Sequence, residues 1–305
     1  MTTYYLKKFS LKHPMVQDPY KALERMETGD TLYFSRTNHT LDKTLVISKD
    51  IYFKGGDATR ILTPKGIHGF YLNGENSVEL NHINFYRSPD SVSLKVTDTF
   101  YGHIKLDHCR THHQSSFLLQ DQPYLPGLVF EGRGTLVIDQ CHLDHIHIQA
   151  PKATVKITNS TIGTLGLESV IYSDSLEIYD TTLDHASLKS NQPTDLRRIT
   201  SHGGLSVSGT TYIDEIHFQP QKDLPEGVES VFYLTGLGGQ TYIRQGVAPT
   251  SDTRYRLFSM VDESLDLTHC NFTHHDAPSE LLHSTVTAID TQNPSGFNIS
   301  EKEGN

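Results

Sequence analysis

HIKLDHCRTHH, residues His103–His113, is one of six variants of a single phrase in this chain, and the expected fold is read from that repetition. The others are SVELNHINFYR from Ser77, TLVIDQCHLDH from Thr135, TVKITNSTIGT from Thr154, SLEIYDTTLDH from Ser175 and SLDLTHCNFTH from Ser264. Aligned, they give four inward columns. The first is Val78, Ile104, Leu136, Val155, Leu176 and Leu265, and the second Leu80, Leu106, Ile138, Ile157, Ile178 and Leu267. The third is Ile83, Cys109, Cys141, Ser160, Thr181 and Cys270, and the fourth Phe85, Thr111, Leu143, Ile162, Leu183 and Phe272. The steps are two, three and two. A step of two is the strand period, so each phrase reads as strand, bend, strand, with both apolar pairs inward. A second apolar pair follows at Ile146 and Ile148, Leu165 and Leu167, and Leu205 and Val207, with Leu188 in the corresponding place between. The intervals from Leu136 to Val155 to Leu176 are too short for strand–helix–strand units, so stacked coils are expected.

The expected fold is all-β: a single-stranded right-handed parallel β-helix, a solenoid, with a short N-terminal capping helix. Residues 1–28 would form the N-terminal segment and cap, 29–291 the β-helix and 292–305 a loose tail. Asp18-Pro19 reads as a helix start, Tyr20, Leu23 and Met26 as its apolar stripe, and Gly29 lies just past its end. With the Gly-Asp-Thr turn at Gly29 and the strands TLYF and TLVISKDIYFKGG, this entry resembles that of pectin-lyase-like β-helices, and the resemblance runs from about Pro19 to Phe272.

All three cysteines share the third column, which assigns them to packing rather than to a disulfide framework or a reactive thiol. The formal charge of −10 with scattered Lys and Arg argues against a nucleic-acid partner. No run of apolar residues suits a membrane span and the N-terminus has no signal-peptide pattern, so a cytoplasmic protein or signal-less export is expected.

For chemistry, HIKLDHC is similar to the phrase in which pectate lyases place a Ca²⁺-ligating aspartate. The resemblance implies Asp107 as a metal ligand, although Lys105 stands where that family has tryptophan and no Arg-x-Pro-x-x-Arg segment follows. The polygalacturonase signatures are missing too. Read from the residues alone, Asp107 and Asp139 fall in one outward column. On adjacent coils they would sit roughly 5 Å apart, a spacing that suits a retaining glycosidase pair or a Ca²⁺ site. Arg110, His112, His113 and His142 on the same face would bind the substrate, beneath a loop running from Gln114. The competing assignment for the two aspartates is a solvated ladder, and for the bend column, His82 and His108 included, polar residues that tolerate unusual backbone angles. His145 and His147 are expected outside as polar cover, and two histidines alone do not make a metal site.

Two stretches, from Gln219 and from Gly246, interrupt the phrase. Their Tyr233, Tyr242, Tyr255 and Phe258 suit a sugar, a protein partner or closure of the C-terminal end. Three functional readings follow: a non-catalytic module that binds a protein or glycan and needs no cofactor; a polysaccharide lyase or glycoside hydrolase working through Asp107 and Asp139, with Ca²⁺ as its metal; and a subunit of a phage or secretion assembly.

Overall fold

Alternation of buried and exposed residues persists through nearly every strand, because each strand lies on the next in register. The computed structural model describes residues 1–6, 15–113, 124–163, 167–219, 230–248, 254–272 and 279–292. The loop from Gln114 to position 123, Leu165, and most of the tail lie outside the described residues. By contacts the chain forms two compact units, Met1–Val155 and Lys156–Asn305.

In the first unit, three ladders of parallel strands run side by side. The first contains Thr3–Leu6, Asp30–Phe34, Ile51–Lys54, Ser77–Asn81, His103–Asp107 and Thr135–Asp139. The second contains Asn38–Thr40, Arg60–Thr63, Asn84–Arg87, Arg110–His113 and His142–Leu143. The third contains Leu45–Ile47, Phe70–Leu72, Leu94–Val96 and Leu128–Phe130, the last paired with Ile146–Ile148. Every one of these registers is parallel, and Val78, Ile104 and Leu136 fall opposite one another. Phe34, Phe53, Phe70 and Phe85 fill the interior, with Phe53 and Phe70 centroids 5.0 Å apart.

The second unit has longer strands that turn their corners without leaving the ladder, among them Ser169–Leu183, Thr194–Ser201, Leu205–Phe218, Val231–Ile243 and Tyr255–Thr268. Their registers are parallel as well. Three coils here carry the two-three-two spacing in disguise: Thr194-Leu196-Ile199-Ser201, Thr211-Ile213-Ile216-Phe218 and Thr241-Ile243-Gly246-Ala248, all buried.

The bend between the first two columns' strand and the next is built on left-handed backbone. His82, His108 and Gln140 in the first unit, and Asn159, Asp180, Arg198, Glu215 and His269 in the second, have φ between 50° and 70°. Such a conformation costs a side-chain-bearing residue about 1–2 kcal/mol. The bend N–H groups recover part of that by continuing the ladder, His82 N donating to the Asp107 carbonyl and His108 N to that of Asp139.

The expectation of one right-handed parallel β-helix closed by a capping helix is corrected. The chain separates into two compact units, so no single solenoid rod is described. The helix Pro19–Arg25 is also not the outermost element: Thr3–Leu6 pairs with Asp30–Phe34 on one side and with Met15–Val16 on the other. The helix begins as its sequence dictates, with the Asp18 carboxylate accepting from Tyr20 N at 2.9 Å, and lies against the segment that includes Lys43 and Lys49. Lys49 Nζ donates to the Met26 carbonyl at its C-terminal end, a favourable place for a cation. A rod-like scaffold or assembly subunit, which depended on one continuous solenoid, falls with that expectation.

Candidate functional site

Most of the candidate residues gather on one face of the first unit, where the bend meets the second ladder. Asp107 and Asp139 are opposite each other in register. They do not form a catalytic pair. Asp107 is spent on its neighbours, Oδ2 accepting from Asn81 Nδ2 at 2.6 Å and Oδ1 from His108 Nδ1 at 2.7 Å. Asp139 accepts a longer bond from Gln140 Nε2, 3.4 Å. Among the described residues no group of three or more His, Cys, Asp and Glu side chains is gathered to hold a metal. The reading of these two carboxylates as an acid and nucleophile for glycoside or polysaccharide cleavage is therefore corrected to a supporting role.

What they support is a pair of imidazoles. The His82 and His108 rings stack at 4.4 Å with an 8° interplanar angle. Because Asn81 donates its Nδ2 to Asp107, its Oδ1 must accept, which assigns the proton on His82 to Nδ1 at 2.8 Å. Asp107, accepting only, makes the same assignment for His108. In the neutral form both rings keep Nε2 as an acceptor. A cleft of about 150 Å³ opens beside them, lined by Asp57, His82, Asn84, His108, Arg110 and Gln140. Arg110 is exposed and has no ion-pair partner among the described residues.

Next to the cleft runs a stack of flat groups. The Arg60 guanidinium lies 5.2 Å from the Tyr86 ring centre, Tyr86 stacks on His112 at 4.8 Å, and His112 faces His142 at 6.5 Å. Burial holds the His112 pKa below its ordinary value, and neighbouring His142, Arg110 and Arg60 push it the same way against the pull of Asp144. His142 is lowered by burial first and by Arg110 second. Both imidazoles thus sit in a locally positive field on a chain of net negative charge. The His113 side chain lies outside the described residues.

Sequence reasoning missed what stands behind this face. Arg87 and Asp144 form a wholly buried ion pair at 2.8 Å; Arg87 Nη1 also donates to the Ser91 carbonyl, and Thr111 Oγ1 donates to Asp144 at 2.6 Å. Arg87 ends a strand phrase two residues past the inward Phe85 and in line with Thr63, so alternation turns it inward, but nothing in the phrase named the buried carboxylate that it meets. His145, expected outside, is buried. Tyr233, Tyr255 and Phe258, expected either to bind a sugar or protein partner or to close the C-terminal end, are wholly buried in the core of the second unit, Tyr233 stacking on Tyr255 at 5.0 Å. The cysteines are free and buried, as their shared column implies, and burial raises the Cys270 thiol pKa.

No family model, no curated protein and no solved structure matches this sequence. The pectin-lyase-like resemblance drawn from the N-terminal entry and from HIKLDHC is withdrawn with the single solenoid on which it rested. No helix among the described residues is long and apolar enough to cross a membrane.

Proposed function

We propose that the protein binds an acidic glycan on this face of the first unit, without cleaving it. The observation that carries the reading is Arg110, a guanidinium with no carboxylate partner among the described residues, set between two tautomer-fixed imidazoles and the Arg60–Tyr86–His112–His142 stack. A uronate presents the complementary groups: a carboxylate for Arg110, hydroxyl donors for Nε2 of His82 and His108, and C–H faces for Tyr86 and His112. The cleft is small against the roughly 300–1,000 Å³ of a pocket for a drug-sized ligand, so it suits the edge of one sugar unit in a chain lying across the surface.

Calorimetric titration with a uronate oligosaccharide, beside a neutral oligosaccharide of equal length, tests the proposal. A charge-assisted bond contributes about 1.5–3 kcal/mol, so Arg110→Gln is expected to weaken uronate binding roughly tenfold to a hundredfold. Binding should also tighten as pH falls, because a bound carboxylate favours protonated His112 and His142. Equal binding of the neutral glycan, or unchanged affinity in Arg110→Gln, would refute it.

A further inference from the structure

On the second unit, a groove of about 400 Å³ is lined by the side chains of Asp195, Arg197, Tyr212, Asp214, Tyr242, Arg244 and Asp266, among others. Register places Asp195, Tyr212, Tyr242 and Asp266 in one outward column. Tyr212, 48 % exposed, stacks on Tyr242 at 5.0 Å and 15°. Three carboxylates face two guanidiniums here, and both guanidiniums are already engaged. Arg197 donates twice to Asp195, with Nη2 to Oδ2 at 2.5 Å, and Arg244 donates twice to Asp214, both bonds 2.8 Å. Asp266 is the carboxylate left over, and it has no hydrogen bond or ion pair among the described residues.

Elsewhere in the same unit, aromatic rings and carboxylates recur with a cation between them. Arg197 lies 5.0 Å from the Tyr179 ring centre while paired with Asp195, Lys156 lies 5.1 Å from the same ring while paired with Glu177, and Arg256 lies 5.6 Å from Phe232 while paired with Glu280. Tyr242 and Asp266 repeat the ring and the carboxylate, and among the described residues no cation stands between them. We propose that this groove receives an arginine side chain of a protein partner, the guanidinium plane on the Tyr242 ring and its N–H groups on Asp266. A guanidinium is preferred to an ammonium because it is planar, weakly hydrated and able to stack while donating to a carboxylate.

The test is titration of the intact chain, carrying ¹³C-labelled tyrosine, with three acetylated and amidated tripeptides, Gly-X-Gly, in which X is arginine, lysine or citrulline. The arginine peptide should shift the Tyr212 and Tyr242 ring signals and bind at least tenfold more tightly than citrulline, its neutral isostere. Asp266→Asn and Tyr242→Leu should each abolish that preference while leaving the thermal unfolding midpoint in place. Equal binding of citrulline, equal binding of lysine, an unaltered preference in a folded Asp266→Asn, or no response to the arginine peptide would each overturn the assignment.

Discussion

Arg87 shows how far the chemistry of one inward position can differ from that of its neighbours. It ends a strand whose alternate residues are core and follows that alternation inward, fully buried and matched to Asp144; burial lowers its pKa while Asp144 works in the opposite direction. Such a pair adds little net stability over a well-packed apolar one, but breaking it leaves an uncompensated charge inside. Arg87→Ala is expected to cost about 3–5 kcal/mol in urea denaturation, and Arg87→Met combined with Asp144→Leu to recover much of that loss. A double variant no more stable than the single one would mean that packing, not charge, governs the site. No reading of one sequence could pair these residues, because nothing local to either strand announces the other.

At the scale of the element, the bend is the informative unit. Gln140 is exposed with φ 52°, so its side chain contributes little while its backbone bears the strain of left-handed geometry. Gln140→Gly should therefore be neutral or slightly stabilising, and Gln140→Val should cost about 1–2 kcal/mol. Equal midpoints for the two variants would show that the bend relaxes under substitution. The phrases with apolar first and second columns were legible in the sequence, and all four columns are buried in both units. The coils opening on Thr194, Thr211 and Thr241 were not, since threonine in the first column hides an inward position behind a hydroxyl. Thr241 shows why it is tolerated there: its hydroxyl donates to Glu263 Oε1 at 2.8 Å, in a place where a solitary hydroxyl would be costly. The strand Val231–Ile243 and the part of Tyr255–Thr268 that precedes Ser264 were obscured in another way, because buried tyrosines there resembled surface aromatics.

For the whole molecule, the gathering of Arg110, His112 and His142 on one face was legible from spacing, whereas the two-unit division and the saturation of Asp107 were not. Acid stability follows from that face. His112 and His142 have folded-state pKa values below those of the unfolded chain, so folding opposes their protonation. Their effect is absent well above the unfolded-state value of about 6.5. Stability then falls as pH drops through that value, until the depressed folded values are reached. Glu263, raised by burial, contributes with the opposite sign. The unfolding midpoint should consequently decline from pH 7.5 to pH 5.5 in the wild type and decline less in His112→Gln/His142→Gln. Parallel slopes would place the acid sensitivity elsewhere.

The left-handed bends have a consequence for how such a chain can change. Eight of the described bends, at His82, His108, Gln140, Asn159, Asp180, Arg198, Glu215 and His269, hold a residue whose backbone is left-handed and whose side chain stays out of the core. Histidine, glutamine, asparagine, aspartate, arginine and glutamate all occupy such positions in this one molecule. Within the first unit His82, His108 and Gln140 follow one another at the strand-to-strand distance, about 4.8 Å, like type slots on a printer's bar. A new surface chemistry can be set there one letter at a time, with the interior left unread.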